Sequence, residues 1–158
     1  MTAKSHNPQK LRKALFPGTF DPFTTGHLDI LRRGLELFDG IIVAIGYNPS
    51  KTTADDVAAR KKAIERILKG DSRIEVTAYT TLTVDEAVRT GASAILRGIR
   101  TTADFEYEKS LAEVNRKISG IETVLLVSSP EFSMVSSSLV RELRSFGHDV
   151  SEFLPPAD

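Results

Sequence analysis

Short apolar runs alternate with stretches in which apolar residues recur every three or four positions, and the alternation repeats five times. Leu11–Phe16, Ile41–Ile45, Ile74–Tyr79, Ala94–Leu96 and Thr123–Val127 read as strands. Ile41-Ile42-Val43-Ala44-Ile45 is apolar at every position, as a strand buried on both faces requires. Helical periods fill the gaps. Gly26–Phe38 carries Leu28, Leu31, Leu35 and Phe38 in step, and Asp55–Lys69 carries Val57, Ile64 and Leu68. Val84–Arg89 is a short helix and Ser136–Phe146 the last. In Thr101–Ser119, the residues Ala103, Tyr107, Leu111, Val114 and Ile118 make an apolar stripe. Strand–helix alternation of this kind predicts an α/β fold: a single Rossmann-like, doubly wound domain on a five-stranded parallel sheet. The commonest small order, 3-2-1-4-5, sets the first and fourth strands side by side at the switch point.

Composition narrows the reading. A chain of 158 residues with 41% hydrophobic content suits one domain with a sizeable core. Residues 1–10 are polar and patternless, which predicts a mobile tail before a domain at 11–158. Lys+Arg and Asp+Glu both number 21, so a general nucleic-acid or anionic-membrane binder is disfavoured, though a local basic site is not. The absence of cysteine excludes disulfides, zinc–thiolate sites and a cysteine nucleophile. No run of 18 apolar residues and no signal-peptide core occur, so a cytoplasmic protein is expected.

The candidate chemistry lies just past the strands. Thr19-Phe20-Asp21-Pro22-Phe23-Thr24-Thr25-Gly26-His27 leads from the first strand into a helix start, with Thr24 or Thr25 as its N-cap. Unpaired N–H groups and partial positive charge there suit a phosphate. His27, in the first turn, is placed to donate to a phosphoryl oxygen. Asp21 reads as a turn former. Arg97-Gly98-Ile99-Arg100 follows the fourth strand, and two planar cations at a strand end suit phosphate oxygens. Ser136-Ser137-Ser138 opens the last helix with more hydroxyls than a cap needs. Lys51 sits in the loop after the second strand. Glu108 and Asn115 border the apolar stripe of the long helix, either paired within the fold or turned to a ligand. The sheet order would gather these stretches at one carboxyl edge. Neither G-x-x-x-x-G-K-[ST] nor G-x-G-x-x-G is present, so a nucleotide would be held without either fingerprint.

Taken together, Pro17-Gly18-Thr19-Phe20-Asp21-Pro22 with Thr24-Thr25-Gly26-His27, Arg97-Gly98-Ile99-Arg100, Asp104-Phe105-Glu106-Tyr107-Glu108 and Ser136-Ser137-Ser138-Leu139-Val140-Arg141-Glu142 resemble the bacterial phosphopantetheine adenylyltransferase family, from about residue 13 to 154. The resemblance implies transfer of the adenylyl group of ATP to 4′-phosphopantetheine, giving dephospho-coenzyme A and pyrophosphate, with Mg²⁺, in a homohexamer. It implies that His27, Lys51 and Arg97 are catalytic. It implies ATP contacts from Thr19, Phe20, His27, Gly98, Ile99, Arg100 and Glu108, and from the segment Phe132, Ser133, Met134, Val135, Ser136, Ser137 and Ser138. Thr19, Lys51, Thr83, Arg97, Asn115 and Glu142 would contact the acceptor. No protein ligand to the metal is implied. The chain departs from the pattern at Thr52–Arg60, at Glu86 and at Phe132, and it ends soon after Leu154-Pro155.

A phosphate nucleophile is ionised at neutral pH, so direct in-line attack needs no general base and no covalent intermediate; positioning and electrostatics carry it. A sibling that activates a different phosphorylated acceptor and a non-catalytic nucleotide sensor are the alternatives.

Overall fold

The structure, a computed structural model, describes residues 10–156. The expected tail therefore falls outside the described residues except for Lys10. Five parallel strands, β1 (Lys13–Gly18), β2 (Gly40–Gly46), β3 (Ile74–Tyr79), β4 (Ala94–Ile99) and β5 (Glu122–Val127), pair in the order β3-β2-β1-β4-β5. The helices are α1 (Thr25–Gly34), α2 (Ala54–Ile67), α3 (Thr83–Thr90), α4 (Thr102–Ser119) and α5 (Ser137–Ser145), with 3₁₀ turns at Pro130–Phe132 and Ser151–Phe153. The expected order and the β1–β4 switch point are both present. No helix among the described residues is long and apolar enough to cross a membrane.

Local chemistry sets the helix ends. Thr24, Thr53, Thr101 and Ser136 each accept the N–H three residues on, and each such cap contributes about 1 kcal/mol. Gly91 and Gly120 close α3 and α4 in the left-handed conformation, where a side chain would be strained.

The sheet buries both faces. Phe16, Val43 and Leu96 pack with Leu31 of α1 and Ile64 of α2 on one face, while Leu15, Ile42 and Ile95 meet Val84 and Ala87 of α3 on the other. Because side chains alternate along a strand, Arg97 shares the side of Ile95 and Gly98 the side of Leu96.

Two expectations need correcting. Arg97, Gly98 and Ile99 are not a loop: they continue β4, registered against Leu125, Leu126 and Val127 of β5, and that ladder satisfies their backbone groups after the apolar run has ended. The stripe on α4 is not a core face either. Glu108 is that helix's one buried residue, and Tyr107, Val114 and Ile118 are more than half exposed. The helix meets the sheet through an ion pair and leaves its apolar residues over a cavity.

Gly98 sets how closely α1 approaches the sheet. A Cβ there would lie 2.9 Å from Ile30 Cγ1, a side chain buried at 3% exposure. Gly98→Ala is expected to destabilise the fold by about 1–3 kcal/mol in urea denaturation, the cost of overpacking a filled core.

Candidate active site

The turn from β1 to α1 is built around Phe20. Its φ of +48° is left-handed, which a non-glycine residue adopts only at a cost of about 1–2 kcal/mol. Its ring is 2% exposed and lies 5.3 Å from Phe16, 5.4 Å from Phe23 and 5.0 Å from His27, centroid to centroid. Gly18 makes room, since a Cβ there would come within 3.0 Å of Phe20 Cζ. This apolar nest returns the burial energy that offsets the strain.

Thr24 is the N-cap of α1, and His27 completes a capping box in the place usually taken by Glu or Gln. The Thr24 backbone N–H donates to His27 Nδ1 at 3.0 Å, and the His27 N–H donates back to Thr24 Oγ1 at 3.3 Å. Burial first, then the nearby charges of Arg97 and Arg100, push the imidazole pKa down from 6.5 to about 4. The ring is thus neutral at pH 7. With Nδ1 accepting, its proton sits on Nε2, so Nε2–H is the ring's donor. A second consequence concerns stability. The unfolded chain binds a proton at His27 that the folded chain does not, so about 3 kcal/mol of stability present above pH 6.5 is lost as pH falls toward 4. His27→Asn is expected to flatten that slope in denaturation measured across this range.

Arg97 crosses from the sheet to α4. Its Nε donates to both oxygens of Glu108 at 3.0 Å, Nη2 donates to Oε1 at 2.6 Å, and Nη1 donates to the Pro17 carbonyl at 2.6 Å. A guanidinium has five N–H bonds; three are engaged here, which leaves one on each Nη for a ligand. Glu108 thus serves Arg97 as counter-ion. Arg100 donates to Asp104 at 3.3 Å and to the Val135 carbonyl at 3.4 Å. At the start of α5, Ser136 caps the helix and Ser137 Oγ donates to the Pro22 carbonyl at 2.8 Å, which ties the serine run to the first turn. Glu142 takes no part in that cap.

Three adjoining cavities meet at Thr19, which lines all of them. The first, about 410 Å³, is lined by Phe20, His27, Gly98, Arg100, Phe132, Val135 and Ser136–Ser138. The second, about 570 Å³, lies between α3 and α4 and takes in Thr83 and Asn115. Arg97 and Glu108 line both. The α4 stripe, through Tyr107, Leu111, Val114 and Ile118, forms a wall of the second cavity. Thr123 Oγ1, also in its lining, is the one buried side-chain polar atom among the described residues without a hydrogen-bond partner. The third, about 740 Å³, holds Lys51, Thr83 and Tyr79. Lys51 is exposed and in no ion pair among the described residues, and its loop is shaped by Asn48 Oδ1 accepting from Ser50.

The sequence-selected residues thus largely converge. Ile99, Ser133, Met134 and Glu142 do not line these cavities. Met134 is 71% exposed, and Glu142 is exposed one position beyond the cavity-lining Arg141. Arg60, Tyr79 and Arg141 line the crevice without having been singled out. Arg60 had a readable signal: it stands at the spacing of Val57 and Ile64, a charge on a buried stripe. Arg141 follows Ser137 by one helical turn.

No group of three or more His, Asp or Glu side chains among the described residues is placed to hold a metal ion.

Known proteins bear on this geometry. The cytidylyltransferase-like family matches residues 15–143. The phosphopantetheine adenylyltransferase of Bacteroides thetaiotaomicron is 48% identical over 92% of this chain and 96% of its own, and that of Porphyromonas gingivalis is 52% identical over 90% and 93%. Among solved structures, a bifunctional NMN adenylyltransferase/ADP ribose pyrophosphatase from Francisella tularensis, complexed with AMP and a manganese ion, superposes with a TM-score of 0.69 at 16% identity. It aligns with 94% of this chain, which spans 45% of the bifunctional one. That likeness concerns the fold. Identity near one half over almost the full length of both sequences, on a sheet and crevice of this kind, makes the chain a member of the phosphopantetheine adenylyltransferase family of nucleotidyltransferases.

Proposed function

We propose that the protein transfers the adenylyl group of ATP to 4′-phosphopantetheine, releasing pyrophosphate and giving dephospho-coenzyme A. The observation that carries this reading is the position of Thr19. It stands where the cavity holding His27 and the serine run meets the two that hold Asn115, Thr83 and Lys51. Two phosphorylated substrates entering from opposite sides would bring their reacting phosphates together there.

Each group has a task that fits its surroundings. Lys51 and the two open N–H bonds of Arg97 fix the acceptor phosphate, an ionised nucleophile needing no base. The His27 Nε2–H and the Thr19 hydroxyl meet the α-phosphoryl oxygens, where charge accumulates in the transition state. Arg100 and the N-terminus of α5 with Ser136–Ser138 receive the pyrophosphate. Glu108 keeps Arg97 in place rather than meeting the anionic nucleotide. Asn115, Thr83 and the unpartnered Thr123 hydroxyl offer hydrogen bonds to the amides of the pantetheine arm. Of the residues selected by resemblance, Ile99, Ser133, Met134 and Glu142 belong to the reading only if these segments close on bound substrate. Attack is direct and in line, with no enzyme-bound intermediate, and a Mg²⁺ ion bound with the triphosphate would offset its charge. The domain occupies residues 11–158 in a cytoplasmic protein. Homohexamer assembly is part of this reading, and Phe105 and Val127, 43% and 64% exposed and outside the three cavities, offer apolar surface for subunit contact.

Pyrophosphate release from ATP, Mg²⁺ and 4′-phosphopantetheine tests the assignment. Turnover with nicotinamide mononucleotide or an alcohol phosphate in its place would move the protein to a sibling reaction. ATP binding without pyrophosphate release from any acceptor would make it a sensor.

A further inference from the structure

Four carbonyls of the stretch between Pro17 and Pro22 are each held by a side chain from elsewhere in the fold. Arg97 of β4 takes Pro17, Ser137 of α5 takes Pro22, and Arg141 of α5 donates from Nη1 to Asp21 at 2.6 Å. Arg60 of α2 donates from Nη1 to the Thr19 carbonyl at 2.8 Å. Its other terminal nitrogen lies 3.6 Å from Asp21 Oδ2, and its side chain is only 14% exposed. So Arg60 grips both neighbours of Phe20, the residue held at φ +48°. Arg141, from α5, holds the same turn through the Asp21 carbonyl.

A left-handed phenylalanine relaxes unless its neighbours hold it. The Phe20 ring is fixed by its apolar nest, but the nest sets the ring and not the direction of the Thr19 carbonyl. That direction decides where the Thr19 hydroxyl stands among the three cavities. We propose that Arg60 is a positioning residue for the adenylyl transfer: it acts through the backbone of Thr19 and Asp21 to hold the Thr19 hydroxyl at the junction of the cavities. The proposal rests on the reaction assigned above. One N–H bonds the Thr19 carbonyl and the charge is paired with the Asp21 carboxylate, so Arg60 reaches the turn on both sides of Phe20.

The test compares Arg60→Ala and Arg60→Lys with wild type. Arg60→Ala is expected to lower kcat by about tenfold or more, the scale of a small misplacement of a reacting group, with KM for ATP and for acceptor each within about twofold. Arg60→Lys, which keeps one donor and the charge, is expected to recover part of kcat. Because Arg60 and Arg141 restrain one turn, Arg60→Ala with Arg141→Ala is expected to lose less than the product of the single losses. Independently of activity, amide hydrogen exchange over residues 18–23 is expected to speed up in Arg60→Ala while the central strands keep their protection. Unchanged exchange in that segment overturns the proposal whatever the assay gives, as does a rise in KM for ATP that accounts for the whole loss. A wild-type protein that releases no pyrophosphate, with exchange altered as expected, overturns the assigned reaction and leaves the brace standing.

Discussion

His27→Ala is expected to lose about 10²–10³-fold in kcat while still binding ATP, the scale of removing one preorganised donor from a developing oxyanion. The size follows from how completely the donor is prepared. The Thr24 N–H occupies Nδ1, so the neutral tautomer is fixed without help from substrate, and burial keeps the ring from taking a second proton near neutrality. Little reorganisation remains when the α-phosphoryl arrives. ATP binding persists because Arg100, the serine run and the N-terminus of α5 are untouched. The substitution also opens the nest around Phe20 and breaks the capping box, so a fall in stability accompanies it. Calorimetric ATP titration alongside single-turnover kinetics separates the effects. Turnover within about threefold of wild type would remove His27 from the mechanism.

Arg97→Ala should be the most damaging single change for both stability and chemistry. Truncation leaves the Glu108 carboxylate, 6% exposed, without its counter-ion, and leaves the Pro17 carbonyl without its donor. Removing one partner of a buried pair costs about 3–5 kcal/mol; with Arg97 itself 30% exposed, about 2–4 kcal/mol is expected. Turnover is expected to fall by about 10³-fold or more as the acceptor phosphate loses its anchor. The double change Arg97→Met with Glu108→Leu separates the roles. Apolar replacement of both partners is expected to restore most of the stability in urea denaturation and none of the turnover. Recovery of turnover to within tenfold of wild type would show that Arg97 serves the fold alone.

Much of this arrangement was written in local pattern. The fully apolar Ile41–Ile45 marked a central strand, the five strand–helix alternations implied the sheet order, and Thr24-Thr25-Gly26-His27 marked a capped helix start. The β1–β4 switch then brought His27 and Arg97 together. What was not legible depended on partners distant in the chain. The extension of β4 through Ile99 comes from the β5 ladder and not from the residues Arg97-Gly98-Ile99. The long helix carries a periodic apolar stripe, and periodicity identifies a face without saying what covers it. Glu108 beside that stripe read equally as ligand contact or structural partner, and its pairing with Arg97 at the rim of the crevice depends on a residue eleven positions away. A charge at stripe spacing looks like an interruption of the pattern, but Arg60 is a partly buried donor reaching across to the Thr19 carbonyl.

The missing Cβ at Gly98 reaches further than packing. Ile30, the side chain that fills the space, lies three residues beyond His27 on one rigid helix, so the depth to which it seats fixes how far the imidazole projects over the crevice. Paired size changes at 30 and 98, two positions that also line the cavity holding the histidine, would therefore shift the imidazole relative to a bound phosphate. A variant with the methyl group moved from Ile30 to position 98 would keep the interior filled while shifting the height of the histidine. Such pairs give evolution, or an engineer, an adjustment to catalysis that leaves the phosphate-binding side chains as they are.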